Sequence, residues 1–293
     1  MCSELQKTNN IISVSRRTDI PCFYSDWFLS TLKQSFVLVE NPFSHQKQKF
    51  SLHPDDVLGF VFWSRYPIGL TKILDFIDGN YGKNHYINYT INDYPRELEP
   101  NKPRLQRVLN LVDFLYDRYG EKYILWRFDP IIVTNITPIE YVVEKFYKLC
   151  KILSGKTNFC ITSFVDLYSK VVRRIKQQGK FQIVDLDFNS RVELLQTFQK
   201  IALEHKIEIR LCCENDLSTF LYIEPASCVD PSRFPEYRDS YLMRAPTRKG
   251  CTCWKSVDLG FYNSCLFDCT YCYSNISRKS SLKNYLKRIE SKI

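Results

Sequence analysis

YILWRFDPIIVTNITPIEYVVEKFYKL, residues 123–149, contains one strand and the helix that follows it. Residues 123–128 form a short aromatic and β-branched run. Thr137, Pro138 and Glu140 then read as an N-cap, a first-turn proline and a capping-box glutamate. Val142, Val143, Phe146 and Leu149 place an apolar stripe on one helix face. The unit recurs. Further strand candidates fall at 11–15, 36–40, 57–63, 86–91, 159–165, 207–212 and 256–262. Pro103 opens a helix carrying Leu105, Val108, Leu109, Val112 and Leu115. Ser190 and Glu193 repeat the capping box before Leu194, Leu195, Phe198 and Ile201. Leu282, Tyr285, Leu286 and Ile289 mark a last helix at 280–291.

Near-continuous apolar strands alternating with helices predict a parallel sheet covered on both faces. About eight such units suit an α/β fold, a TIM-like (β/α)8 barrel or close variant, with an open doubly wound sheet as the alternative. Strand 36–40 is the doubtful one, since it can pair with 48–52 as a hairpin outside the barrel. The expected organisation is a single barrel domain over 1–293. Residues 213–255 are an irregular, cysteine-containing excursion, and 256–293 form the last βα unit.

Composition narrows the function. The 293 residues include 12 Cys and only 9 Gly, with a net charge of +9. Glycine stands at less than half its average usage of roughly 7%. Neither a phosphate-cradling P-loop nor a G-x-G-x-x-G fingerprint is present. The first residues, MCSELQKTNNIISVS, lack the pattern of a secretory leader, and no apolar run approaches the roughly 20 residues of a membrane span. The expectation is a cytoplasmic protein with reduced thiols, whose clustered cysteines are ligands rather than bridges. Basic runs at 170–180 and 278–293 read as solvated helix faces, with a phosphate-bearing partner as the sharper alternative. The four His have no metal-ligand spacing, and no G-x-S-x-G elbow occurs.

In barrels of this kind the chemistry sits at the C-terminal ends of the strands. Those ends carry Arg16, Arg17 and Asp19; Ser64 and Arg65; Asn92 and Asp93; Arg127 and Asp129; Asp166; and Glu214. The final strand runs into CLFDCTYC, in which Cys265, Cys269 and Cys272 are spaced C-x3-C-x2-C. Three thiolates so close can hold one face of a metal or cluster, and iron–sulfur clusters take Cys at such tight spacings. Structural zinc usually takes paired knuckles a longer stretch apart. Cys251 and Cys253 form a C-x-C and are candidates for an auxiliary cluster or a zinc. Cys212, Cys213 and Cys228 stand open between ligand and buried thiol, while Cys2, Cys22, Cys150 and Cys160 read as background.

The cysteine spacing, with Tyr271 at the aromatic position, resembles that of the radical S-adenosylmethionine (SAM) enzymes. Over nearly its whole length the chain resembles the family known as domain of unknown function 1848. ISVSRRTDIP (12–21), YSDWF (24–28), VENPF (39–43), FVFWSR (60–65), LEPNKP (98–103), WRFDPI (126–131), ITSFVDLY (161–168) and SVDLGFYNSCLFDCTYCYSN (256–275) carry that likeness. The radical SAM resemblance implies a 4Fe-4S cluster on the three Cys, with SAM bound at the fourth iron. It also implies an electron donor such as ferredoxin or flavodoxin, and a small-molecule or nucleic-acid substrate. That superfamily carries its cysteines after the first barrel strand, so a circular permutation is implied. SRRTD (15–19) replaces the usual Gly-Gly-Glu.

On this reading Arg16, Arg17, Asp19 and Tyr271 are cofactor contacts, and Arg127, Asp129 and Asp166 are catalytic candidates. Cys265, Cys269, Cys272, Cys251 and Cys253 are metal ligands. The competing expectation is a non-enzymatic iron–sulfur or zinc protein whose cysteines staple the chain end or carry electrons. Arg16, Arg17 and Arg127 can instead, or as well, form salt bridges to these aspartates inside the barrel mouth, which is compatible with the enzyme reading; the non-enzymatic reading leaves the strand-end charges unexplained.

Overall fold

Burial on both faces selects the strands. In the computed structural model, which describes residues 10–41, 44–235 and 242–290, seven of them form one parallel sheet. They are β1 (Asn10–Val14), β4 (Val57–Ser64), β5 (His85–Thr90), β6 (Ile124–Arg127), β7 (Phe159–Thr162), β8 (Glu208–Leu211) and β9 (Val257–Asp258). The remaining pair, β2 (Phe36–Glu40) and β3 (Lys47–Ser51), is an antiparallel hairpin apart from the sheet, as its position in the sequence predicts. Cys2 and Lys292 lie outside the described residues.

The sheet order is β8-β7-β6-β5-β4-β1-β9. The last strand therefore lies beside the first, with Ile12 opposite Val257 and Ser13 opposite Asp258. Counted from β9 and with the β2–β3 hairpin set aside, neighbouring strands of the sheet follow one another in sequence.

Helices connect the strands and cover the sheet. They are α1 (Ile20–Phe23), α2 (Ser25–Lys33), α3 (Leu74–Tyr81), α4 (Leu105–Tyr119), α5 (Ile139–Leu153), α6 (Ser169–Gln178), α7 (Phe188–Glu204), α8 (Asn215–Leu221) and α9 (Arg278–Glu290). One aromatic column shows how they dock. Trp126 of β6 stacks on Phe146 of α5 at 5.4 Å, and Phe146 stacks on Phe198 of α7 at 3.9 Å. All three rings are fully buried. None of the described helices is long and apolar enough to cross a membrane.

Two capping expectations change. Thr137 does not cap α5. Its hydroxyl pairs with Thr134 Oγ1 at 2.7 Å, and Pro138 occupies the cap position. Ser190 lies inside α7, and Asp187 three residues earlier caps it by accepting from Ser190 N–H at 2.8 Å.

The sheet is an arc rather than a closed ring. Among the described residues no backbone ladder joins β8 to β9. Irregular chain fills the gap. Ala226 N–H donates to Leu211 O at 2.8 Å, and Trp254 N–H donates to Val229 O at 3.1 Å. The same excursion turns inward across the sheet. Cys228 O accepts from Tyr86 Oη and Asn88 Nδ2, both at 3.0 Å, and Phe234 packs on β4. A Cβ at Gly59 would stand 2.7 Å from the Phe234 ring, so that contact requires glycine there.

Candidate metal centre

The C-terminal ends of the strands surround one open cleft of about 2760 Å³. Arg16, Arg17, Asp19, Ser64, Arg65, Arg127, Asp129 and Asp166 line it, together with Cys265, Cys269, Tyr271 and Cys272. Cys251 and Cys253 line it too, with Cys212, Cys213 and Cys228. Of the other strand-end residues, Asn92 supports this wall from behind. Its Nδ2 donates to Asp129 O at 3.0 Å, and its Oδ1 accepts from Asp129 N–H at 2.9 Å. Asp93 pairs with Lys102 and Lys145, and Glu214 accepts from Phe164 N–H.

The triad loop is irregular, so its backbone groups need partners outside a helix or strand. Arg174 of α6 supplies several. Its Nη1 donates to Cys269 O at 2.9 Å and Thr270 O at 3.2 Å, and its Nη2 donates to Asn275 O. The 98–103 segment grips the other side. Thr270 N–H donates to Leu98 O at 2.9 Å, and Asn101 Nδ2 donates to Leu266 O at 2.8 Å. Asn275 Nδ2 donates to Cys265 O at 2.7 Å. Arg174 is thus a buried clamp within a run that reads as a solvated face. The available signal was its place beside Val171 and Ile175, at i, i+3 and i+4.

Tyr271 sits on an ion pair. Arg65 Nη2 meets Glu99 Oε1 at 2.7 Å. Tyr271 Oη donates to the same Glu99 oxygen at 2.5 Å and accepts from Arg65 Nη2 at 2.7 Å. Glu99 is almost fully buried, and its Oε2 has no hydrogen-bond partner. Cys269 lies near this pair. Burial pushes its thiol up to about 12, with Arg65 acting in the opposite sense.

Asp258, which sequence reading passed over, is the hub between β9 and β1. It accepts from Ser13 Oγ at 2.9 Å, Ser15 Oγ at 2.8 Å, Arg16 N–H at 2.9 Å and Arg17 Nε at 3.1 Å. Burial acts to raise its pKa, but Arg17, Arg16 and these hydrogen bonds hold it below the usual carboxylate range. The Arg17 guanidinium is therefore engaged in an ion pair, although with Asp258 rather than with the aspartates at the other strand ends. Asp19 is engaged as well. It accepts from Ser64 Oγ at 2.8 Å, Arg65 N–H at 2.8 Å and Cys22 N–H at 3.0 Å, so it ties β1 to β4 and caps α1. Burial pushes its carboxyl up to about 7 against the pull of those donors.

Arg16 and Arg127 both approach Trp63, each 5.3 Å from the ring centre. Arg127 pairs with Asp129 Oδ2 at 2.6 Å, and Ser163 Oγ donates to Asp129 Oδ1 at 2.5 Å. Asp166 pairs with Arg248 at the cleft rim. Arg16 Nη2 is buried with no hydrogen-bond partner. As the side chains stand, no three Cys, His, Asp or Glu among the described residues surround a single ion position.

A family model described as domain of unknown function (DUF1848) matches residues 11–274. The chain belongs to this family. The match ends two residues after Cys272, so in the DUF1848 chain it takes in the strand ends and both groups of cysteines. No curated protein matches the DUF1848 chain. Among solved structures it is similar to "1.8 A Crystal structure of IOLI protein with a binding zinc atom", at 13% identity and a TM-score of 0.33. That likeness covers 52% of the DUF1848 chain and 50% of the other, about half of its length.

Proposed function

We propose that the DUF1848 chain is a radical SAM-like iron–sulfur enzyme, with a permuted barrel-like sheet and a four-iron cluster held by Cys265, Cys269 and Cys272. The observation that carries this reading is the placing of the triad. Its loop leaves β9, the neighbour of β1, and delivers three thiols into the cleft at the strand ends. The donor set suits such a cluster. A four-iron cluster takes its thiolates on separate irons, so its ligands need not converge on one point. Three thiols leave one iron open for SAM. When bound, the reduced cluster and SAM supply one-electron radical chemistry, which is the cofactor's own.

The chain's residues hold and orient. Arg174, Leu98 and Asn101 fix the loop, so the thiols are positioned before loading. Each thiol must lose its proton to bind metal, and burial opposes that loss at Cys265 and Cys269. Loading therefore releases protons and is favoured as pH rises. Arg17 and Asp19 hold β1 to its neighbours. Arg16 has a free buried N–H and is the guanidinium open to an anionic group of SAM or substrate. Arg127 and Asp129, already paired, present a fixed dipole at the cleft wall, and Asp166 stands at its rim.

Anaerobic purification tests the reading. The expected result is iron and acid-labile sulfide in the protein, with an EPR signal of the reduced cluster that changes when SAM is added. Wild-type protein containing zinc but no iron would overturn it. So would a SAM-induced change that survives Cys269→Ala.

A further inference from the structure

We infer that Cys212, Cys213, Cys228, Cys251 and Cys253 form a second thiolate metal centre, which clasps the open side of the sheet. The inference does not depend on the radical SAM reading, because it uses none of the triad residues.

The five thiols group in a loose ring, within which the sulfurs of three touch. Cys212 Sγ lies 3.8 Å from Cys213 Sγ and 3.9 Å from Cys228 Sγ. Cys251 and Cys253 line the same cleft, and their thiols interact with those of Cys213 and Cys228. With zinc–sulfur bonds of about 2.3 Å, neighbouring sulfurs of a tetrahedral site stand about 3.8 Å apart. The two measured contacts match that edge, whereas a disulfide needs about 2.0 Å. Five sulfurs in a ring do not surround one point as they stand. Loading would draw four of them inward by side-chain rotation.

Burial of cysteine as a small hydrophobe does not explain the ring. Cys212, Cys228 and Cys253 belong to the same core as Cys150 and Cys160, so burial alone does not set them apart. What does is that the five come from separate stretches, that sulfurs of three of them touch, and that cations lie beside them. Arg127 Nη1 donates to Cys228 Sγ at 2.8 Å, and Arg248 Nη2 approaches Cys212 Sγ at 4.0 Å. Arg16 lines the same cleft and interacts electrostatically with Cys253 and Cys228. Positive charge at this position acts toward the thiolate form that binds metal, against the other influences that leave the Cys212 and Cys228 thiols above their ordinary value.

Position gives the centre a role. Cys212 and Cys213 follow β8, while Cys251 and Cys253 precede β9. These are the two outer strands, which no ladder joins among the described residues. Cys228 comes from the excursion between them and is anchored through its carbonyl to Tyr86 and Asn88 of β5. A metal held here ties both edges to the middle of the sheet.

Differential alkylation of anaerobically purified wild-type protein, mapped by mass spectrometry, tests this without any substitution. At least four of the five thiols should resist reagent in the folded protein. A chelator should raise their labelling at least tenfold while Cys150 and Cys160 stay unlabelled. The triad peptides are read separately, so a failure of either centre is distinguishable from a failure of the other. A Cys265→Ser, Cys269→Ser, Cys272→Ser variant should retain a single thiolate-bound ion, zinc or iron without sulfide. Labelling of the five that ignores the chelator would overturn the inference, as would a disulfide among them or a folded triad variant free of metal.

Discussion

The two cysteine groups share one cleft but are built in opposite ways. The triad is compact in sequence, at 265–272, and its sulfur hydrogen bond is to backbone, from Ser274 N–H to Cys272 Sγ at 3.3 Å. The ring is dispersed in sequence, from 212 to 253, yet the sulfurs of three of its members touch and one meets an arginine. Closeness along the chain and closeness in space are therefore separate properties. A short loop fans its thiols toward a cleft, which suits a polynuclear cluster. Sulfurs gathered from several stretches to tetrahedral-edge distance suit a single ion, provided the fold holds those stretches together.

Arg127→Ala should separate the two groups most sharply. It leaves Asp129 without its cationic partner in a partly buried setting and removes the donor to Cys228. The expected loss is about 3–5 kcal/mol in urea unfolding, the cost of breaking a buried pair from one side. Metal retention at the ring should fall, while triad labelling should stay as in wild type. A loss below about 1 kcal/mol would mean that Asp129 is well solvated and the pair behaves as an exposed one.

Two carboxylates of the cleft wall titrate in opposite senses, which gives a pH test. Asp19 has a carboxyl raised from 3.8 to about 7, so its folded form binds protons that its unfolded form has lost. Its contribution is fully present below about pH 4 and is lost as pH rises toward about 7, a change of at most about 4 kcal/mol. Asp258 is lowered, so its contribution is present above the unfolded carboxylate range and is lost as pH falls. Unfolding followed from pH 4 to 7 should show the Asp19 decline in wild type and not in Asp19→Asn. An unchanged slope in that variant would assign the decline elsewhere.

What the sequence discloses follows from this contrast. All eight candidates are strands in the structure; most of those in the sheet are buried on both faces and read as apolar runs, while β2 (Phe36–Glu40) is a half-exposed hairpin strand. β9 has only two residues, and just beyond it Gly260 packs tightly against the chain leaving β1, where a Cβ would lie 1.7 Å from Ser15 Oγ. The triad was legible because its spacing is local. Cys212, Cys213 and Cys228 stayed open because nothing local records that β8 and the excursion meet. Asp258 was hidden as one acid in an apolar strand, and Glu99 as one acid in a polar loop. Closure was not legible either, since irregular backbone rather than a ladder fills the gap. The caps failed for a local reason: Asp187 competes with Ser190 for the same helix start, and the side chain three residues ahead of the free N–H prevails.

Arg174→Ala is the counterpart of the arginine change at the ring. It leaves Cys269 O, Thr270 O and Asn275 O without their shared donor, and water entering the loop replaces part of the loss. About 3 kcal/mol is expected. Triad labelling should quicken while the ring stays protected. Combined with Arg127→Ala, the two losses should add to within about 0.5 kcal/mol, as for sites without shared partners. A larger departure would show that the two centres are mechanically one.

Tyr271→Phe should have the smallest effect and the most specific meaning. The ring stays in place and only the hydroxyl leaves, while the Arg65–Glu99 contact at 2.7 Å persists beneath it. About 1 kcal/mol of stability should be lost, the net value of an ordinary buried hydrogen bond. Iron at the triad should be unchanged, because Tyr271 Oη touches Glu99, Arg65 and Asn92 rather than any thiol. If iron instead falls by half or more, the hydroxyl is setting the loop's geometry through Glu99. The triad would then depend on a long-range polar contact in the way the ring depends on Arg127.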